Sequence, residues 1–161
     1  MNTHLKDVEF SQKEMTKYCS SLVHHYESLS SDDLYLRFNN VVSLDAVKAR
    51  LHKFYIDPKY THTFYALLNE KGEMIGVSQL AIDPETGLGE YTLSVVETYQ
   101  RRGIGKTMLK RLLKIAKEKG CKKVEGYISY SNIPSKMLAE SLGAKVAPEE
   151  SMNLFLALFI I

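Results

Sequence analysis

Residues 90–120 read EYTLSVVETYQRRGIGKTMLKRLLKIAKEKG, and two periods meet in them. Tyr91, Leu93 and Val95 alternate with Glu90, Thr92, Ser94 and Val96, the pattern of a strand with two distinct faces. After Gln100 the spacing lengthens. Ile104, Met108, Leu109, Leu112, Leu113 and Ala116 recur at helical intervals among lysines and arginines, and Gly120 is a natural stop. The joint is Gln100-Arg101-Arg102-Gly103-Ile104-Gly105-Lys106-Thr107. Glycines 103 and 105 put no Cβ in the way of a group approaching the backbone. The first amides of the helix lack carbonyl partners and lie at the positive end of its dipole. Arg101, Arg102 and Lys106 add full positive charge. The joint reads as a cradle for a diphosphate.

Other phosphate motifs fit it poorly. A Walker loop has four residues between its glycines before the Lys-Ser/Thr pair, and here Gly103 and Gly105 are too close, although Lys106-Thr107 imitates the ending. A dinucleotide fingerprint needs a third glycine near position 108, which is Met108.

Outward from this stretch, charge and composition narrow the ligand. Residues 101–123 hold ten Lys/Arg against the single acid Glu118. The rest of the chain is therefore acidic, and the net charge is only +2. Basic charge confined to one loop and helix suits a small polyanion better than nucleic acid, whose binders are basic over a whole domain. Lys110, Lys114 and Lys117 read as a solvated face. Cys19 and Cys121 show no metal or CxxC spacing and read as free thiols of a reducing compartment. His24 and His25 are adjacent and lack a third ligand, so no metal is expected. The apolar run Leu154 to Ile161 is too short to span a membrane. A soluble, cytoplasmic protein of one domain, residues 1–161, is expected, as a monomer or homodimer.

Taken in order, Leu5 to Phe10 reads as a first strand. Ser11 and Glu14 form a capping box for a helix carrying Met15, Tyr18, Cys19, Leu22 and Tyr26. Ser28 to Phe38 reads as a polar loop ending in apolar anchors, with Arg37 free to pair locally or face a cleft. Ser43 caps a helix with Leu44, Val47, Leu51, Phe54 and Tyr55 on its stripe, ended by Asp57-Pro58. Thr63 to Leu68 and Met74 to Ile82 read as a hairpin about Asn69-Glu70-Lys71-Gly72. Glu90 to Val96 completes an antiparallel meander. Val124 to Tyr130 is another strand, parallel to it across the basic helix. Ser131 or Asn132 caps a short helix ending at Gly143. Ala144 to Val146 and Asn153 to Ile161 read as a closing hairpin, apolar on both faces of its second strand and so expected to be covered on both. The fold class is α/β (α+β), with a mixed, mostly antiparallel central sheet flanked by helices.

Gln100 to Gly105 matches Gln/Arg-x-x-Gly-x-Gly/Ala, and with its flanking elements the chain resembles the GNAT superfamily of N-acetyltransferases. Leu34 to Phe38 is similar to a segment of GNAT domains in bacterial protein lysine acetyltransferases. The resemblance implies acetyl-CoA as cosubstrate, its diphosphate on Gln100, Arg101, Arg102, Gly103, Ile104, Gly105, Lys106 and Thr107. It implies that the fourth strand bulges at Leu93, Ser94 and Val95 to turn backbone groups toward the pantetheine arm, and that Asn132 and Ser135 touch that arm. Glu90, ten residues before Gln100, takes the place of a general base, with Glu97 as competitor. The tyrosine that often serves as general acid falls at Ala139, as in acetyltransferases of the Pat type; Ser135, Tyr130 or water is left for that role. The expected activity is acetyl transfer to a primary amine, protein lysine preferred over a small amine. The alternative is a non-catalytic acyl-CoA-binding sensor or regulatory module.

Overall fold

The computed structural model describes the backbone of residues 4–56 and 59–161, and the side chains of these except residues 52–56. Phe54, Tyr55 and the Asp57-Pro58 stop expected from the sequence therefore lie outside the described residues. Seven strands form one sheet in the order β1-β2-β3-β4-β5-β7-β6. They are β1 (Lys6–Ser11), β2 (Thr61–Leu68), β3 (Met74–Ile82), β4 (Leu88–Val95), β5 (Lys123–Ser129), β6 (Lys145–Glu149) and β7 (Leu154–Ile160). Only β4 and β5 pair parallel. The helices are α1 (Met15–Glu27), α2 (Ser31–Phe38), α3 (Leu44–Ile56), α4 (Ile104–Glu118) and α5 (Ile133–Ser141). The mixed, mostly antiparallel sheet between helices agrees with the fold class read from the sequence.

Two cores lie on opposite faces of the sheet. Under α4, residues Ile104, Met108, Leu109, Leu112, Ile115 and Ala116 pack on Leu67, Ile75, Leu80 and Tyr91. Under α1 and α3, residues Leu22, Tyr26, Val47 and Leu51 pack on Phe10, Phe64, Ala66 and Val77. The strand alternation read from the sequence holds: Tyr91, Leu93 and Val95 face α4, and Ser94 faces α1. Where α4 crosses β3 the approach is close. A Cβ on Gly76 would stand 2.6 Å from the Met108 sulfur.

Three expectations change. Residues 31–38 are helix, not loop: Ser30 accepts from the Asp33 amide, and Asp32 and Asp33 suit the first turn. One eight-residue helix is too short to show its period. The closing hairpin forms as expected, β6 pairing antiparallel with β7, and β7 lies between β5 and β6. The second face of β7 is only partly covered. Ala157 and Phe159 are buried, whereas Leu154, Leu156 and Leu158 are half-buried and Ile160 is exposed. Finally, β4 carries no bulge at Leu93–Val95, because its register with β3 runs unbroken from Ile82↔Gly89 to Gly76↔Val95. The irregularity sits in the β2–β3 pair, where Leu67↔Gly76 is followed by Leu68↔Met74 and Ile75 is left over.

One buried polar group ties α1 to this sheet. His25 is fully buried; its Nδ1 donates to the Met74 carbonyl at 2.8 Å and its Nε2 accepts from Ser94 Oγ at 2.8 Å. Burial pushes its pKa down from 6.5 to about 4, against the opposing effect of the Met74 hydrogen bond.

Two outcomes follow for stability. The unfolded chain binds a proton at His25 below pH 6.5 and the native state only near 4, so the contribution is full above pH 6.5 and drains as pH falls toward 4. Denaturant unfolding across that window should show a loss of about 3 kcal/mol that is absent in His25→Gln. At Gly126, a Cβ would stand 2.4 Å from the Tyr91 ring. Gly126→Ala should lower unfolding free energy by about 1–3 kcal/mol; an unchanged thermal midpoint would show that the ring moves freely.

Candidate active site

The site begins where β4 and β5 part. Their ladder consists of Leu88↔Lys123, Gly89↔Val124 and Glu90↔Glu125 and stops there. β4 then runs on to Val95 and β5 to Ser129 with no pairing between them. Backbone groups on the facing edges are thus left without ladder partners. The parting, rather than a bulge, presents the backbone of Leu93 to Val95 to the gap.

Tyr91 stands at the fork. Its ring lies over Gly126 and meets Phe159 edge-on at 5.9 Å between centroids. Its hydroxyl is buried without a hydrogen-bond partner among the described residues, and burial pushes its pKa up to about 12.

Beyond the end of β4, Gln100 closes one end of the gap. Its amide donates to the Val95 carbonyl at 2.8 Å and to Asp33 Oδ2 at 3.0 Å. The turn then passes through two left-handed residues, Arg101 (φ 62°) and Gly103 (φ 77°), before α4 starts. The Thr107 amide bonds the Gly103 carbonyl at 3.1 Å. The amides ahead of it in the turn have, as at any helix start, no acceptor in the helix. The Thr107 hydroxyl also donates to Gly103, at 3.1 Å. Ile104 is buried, so only its backbone is available to a ligand. Arg101, Arg102 and Lys106 are exposed around the rim. A Cβ on Gly105 would touch Leu93 and Leu138 at 3.7 and 3.6 Å, so the bare backbone here opens between β4 and α5.

Two cavities meet at Glu90. A larger one of about 370 Å³ lies on the α1–α3 face of the sheet, between Arg37, Arg50, His62, Gln79, Asp83 and Glu125. A smaller one of about 150 Å³ lies in the gap itself, lined by Phe38, Leu93, Tyr127, Asn132 and Ser135. Glu90, Thr92, Arg37 and Arg50 border both. Desolvation by the surrounding walls raises the Glu90 pKa; the facing Glu125 raises it further, while Arg37 opposes both. Glu125 is held by the Tyr127 hydroxyl, which donates to its Oε1 at 3.0 Å. Burial first, and then that bond, push the Tyr127 pKa up to about 12.

The structure sorts the expected site residues into three groups. Gln100 to Thr107 gather at the start of α4. Glu90, Leu93, Asn132 and Ser135 gather at the gap, with Asn132 accepting from the Ser135 amide at 3.3 Å. Ser94 turns away to His25. Glu97 is exposed in the turn 97–99 and lines neither cavity. Tyr130 packs edge-on against Phe155 and lines neither cavity, which leaves Ser135 as the candidate donor in the gap. Ala139 is fully buried. Cys121 is buried with its thiol pushed up, unsuited to nucleophilic use.

Arg50, His62, Gln79, Glu125 and Tyr127 carried no signal in the sequence, since they come from four separate strands and helices and meet only in the fold. α2 was likewise hidden, and it spans the gap. Asp33 holds Gln100 on one side, Asn39 donates to the Tyr127 carbonyl at 3.1 Å on the other, and Ser129 donates to Asn39 at 2.8 Å. Among the described residues, no group of three His, Cys, Asp or Glu is arranged to hold a metal ion, and no helix is long and apolar enough to cross a membrane.

Among solved structures, the GNAT domain of S. lividans PAT superposes with a TM-score of 0.78 at 17% identity, covering 100% of this chain and 99% of that one. The PaiA N-acetyltransferase of Thermoplasma acidophilum, in complex with coenzyme A, gives 0.69 at 17% identity, covering 100% of both. A spermidine N-acetyltransferase SpeG chimera from Vibrio cholerae and hSSAT gives 0.67 at 13%, covering 98% of this chain and 96% of that one. At these identities the likeness is one of fold. The family model of the acetyltransferase (GNAT) family matches residues 27–144, which include α2, the fork, the glycine turn and α5. The chain therefore belongs to the GNAT family of acetyltransferases and is an N-acetyltransferase that uses acetyl-CoA.

Proposed function

We propose that this chain transfers the acetyl group of acetyl-CoA to a primary amine by direct attack, with Glu90 as general base. The observation that carries the reading is the position of Glu90, where the 370 Å³ cavity meets the gap between β4 and β5. The diphosphate would rest on the amides from Arg102 to Lys106 and on the exposed charges of Arg101, Arg102 and Lys106. The pantetheine arm would lie in the gap, along the unpaired edge of β4, between Leu93 and the Asn132–Ser135 turn. Gly105 fits this reading, because its missing side chain leaves the way open between Leu93 and Leu138. The bound cosubstrate supplies an acyl group on sulfur.

The acceptor enters through the larger cavity as an ammonium. Asp83, Glu90 and Glu125 draw it in. Glu90 takes one proton and the nitrogen attacks the thioester carbon. The C–S bond breaks, and the nitrogen sheds its second proton as the amide forms. One of these two protons ends on the sulfur of coenzyme A and the other in solvent. A raised pKa makes Glu90 a stronger base than a free carboxylate. Either a lysine side chain of a protein or a small amine would reach Glu90 this way. The solved relatives do not choose between them, one being a spermidine enzyme by its name.

Glu90→Gln keeps the shape and removes the basicity. Acetyl transfer, followed as free thiol release over a panel of amines, should fall by about 10²–10⁴-fold at neutral pH while acetyl-CoA affinity holds. The loss should shrink at high pH, where the acceptor is already deprotonated. Full activity in Glu90→Gln would remove Glu90 from the reaction and leave Glu125 as the nearest carboxylate. For the cradle, Gly105→Val should weaken acetyl-CoA binding at least tenfold by calorimetry, whereas Lys114→Ala, on the exposed face of α4, should leave it unchanged. Equal affinities in wild type and Gly105→Val would remove the diphosphate from this turn.

A further inference from the structure

We propose that the acceptor is a small amino carboxylate, an amino acid or a molecule of that kind, and that Arg37 and Arg50 bind its carboxylate while Glu90 takes the proton from its amine. The proposal rests on the acetyl-transfer reading above and narrows its acceptor.

The larger cavity is polarised. Asp83, Glu90 and Glu125 stand in its lining, and so do two arginines from separate helices, Arg37 of α2 and Arg50 of α3. Neither arginine forms an ion pair among the described residues, although carboxylates share the cavity with them. Both guanidinium groups stack on the Phe38 ring, at 4.5 and 5.2 Å from its centroid, and both line the two cavities that meet at Glu90. Arg37 is also held in place. Its Nη2 donates to Gln79 Oε1 at 3.3 Å, and the Gln79 amide donates to His62 Nδ1 at 2.9 Å. A carboxylate is the natural mate for a planar guanidinium fork.

Size and charge agree. A cavity of about 370 Å³ is at the small end of ligand sites, which run from roughly 300 to 1,000 Å³. A lysine side chain of a protein would bring one positive charge into it and leave both arginines unpaired. A plain polyamine would bring positive charge alone. A zwitterion matches both walls, its ammonium toward Glu90 and its carboxylate toward the arginines. The bond changes are those already described: the nitrogen loses two protons, C–N forms, C–S breaks, and the carboxylate leaves unchanged.

The test is thiol release from acetyl-CoA with four classes of acceptor: free amino acids, the same amino acids as carboxamides, the corresponding amines without the carboxyl group, and a lysine peptide. At least one amino acid should exceed its carboxamide about tenfold or more in kcat/KM, even though more of the carboxamide's less basic amine is already deprotonated at neutral pH. Arg37→Gln and Arg50→Gln should each raise KM for that amino acid about 10–100-fold and change KM for its carboxamide by a far smaller factor. Arg50 is exposed, so its variant answers the question even where Arg37→Gln disturbs the fold. Preference for the carboxamides, the plain amines or the lysine peptide overturns the proposal. So does an equal loss on both members of a pair, or a change confined to acetyl-CoA. If wild type releases no thiol with any amine, the acetyl-transfer reading fails by itself. Calorimetry with N-acetyl amino acids in the presence of coenzyme A then decides the carboxylate site: heat abolished by Arg50→Gln supports it, and no heat overturns it.

Discussion

The site depends on Tyr91 lying over Gly126. β4 and β5 pair for three residues and then separate, and the next pair in the ladder would be Tyr91 with Gly126. A parallel ladder that continued would satisfy the backbone of both strands and close the gap. The Tyr91 ring instead occupies the space above β5 that any side chain at 126 would fill, and it leans edge-on against Phe159 of β7. The aromatic contacts stabilise the open arrangement, while the unpaired edges cost it. The glycine at 126 is a requirement of this aromatic wedge and not of any turn.

α2 completes what the wedge opens. Eight residues long, it contacts both sides of the parted strands. Asp33 reaches the glycine turn through Gln100, Arg37 reaches β3 through Gln79, and Asn39 reaches β5 through the Tyr127 carbonyl and the Ser129 hydroxyl. Asn39 can do this because it ends the helix in the left-handed conformation, φ 55°, which asparagine tolerates better than most residues. One short helix thus sets the spacing among the glycine turn, Glu90 and the larger cavity. Charge is separated along the same line. The basic residues of 101–123 lie on α4, the turns at its two ends and the start of β5, and the carboxylates Asp83, Glu90 and Glu125 lie at the larger cavity.

Much of this was legible in residues 90–120. The change from a two-residue to a helical period located β4 and α4, and glycines 103 and 105 located the turn between them. What stayed hidden depends on contacts between distant residues. Arg50 and Glu125 gain their meaning only from the cavity they share. β7's insertion between β5 and β6 leaves no local trace, because a hairpin reads the same whichever strand lies next to its neighbour. The bulge expected in β4 proved to be an open edge. Both expose backbone, and residues 93–95, read alone, do not distinguish them. α2 was read as a loop because eight residues complete barely two turns, and Ser30 and Asp33 suit a turn as well as a helix cap.

The absence of an obvious general acid is consistent with the chemistry that remains. At neutral pH an alkylammonium, pKa about 10.4 in a lysine side chain, is almost wholly protonated and cannot attack. A base that removes that proton relieves the larger barrier. The leaving group is a thiolate, whose conjugate acid has a pKa of about 8.5 in an ordinary cysteine, so it departs without needing a proton in the transition state. A site that invests in a carboxylate of raised basicity and leaves the sulfur to a hydroxyl or to solvent has placed its help where the free-energy cost lies. Ala139, buried in the core under α5, then frees that helix to pack rather than to donate. Glu125, held by Tyr127, raises the Glu90 pKa, so in the proposed reaction it would matter as much as any donor.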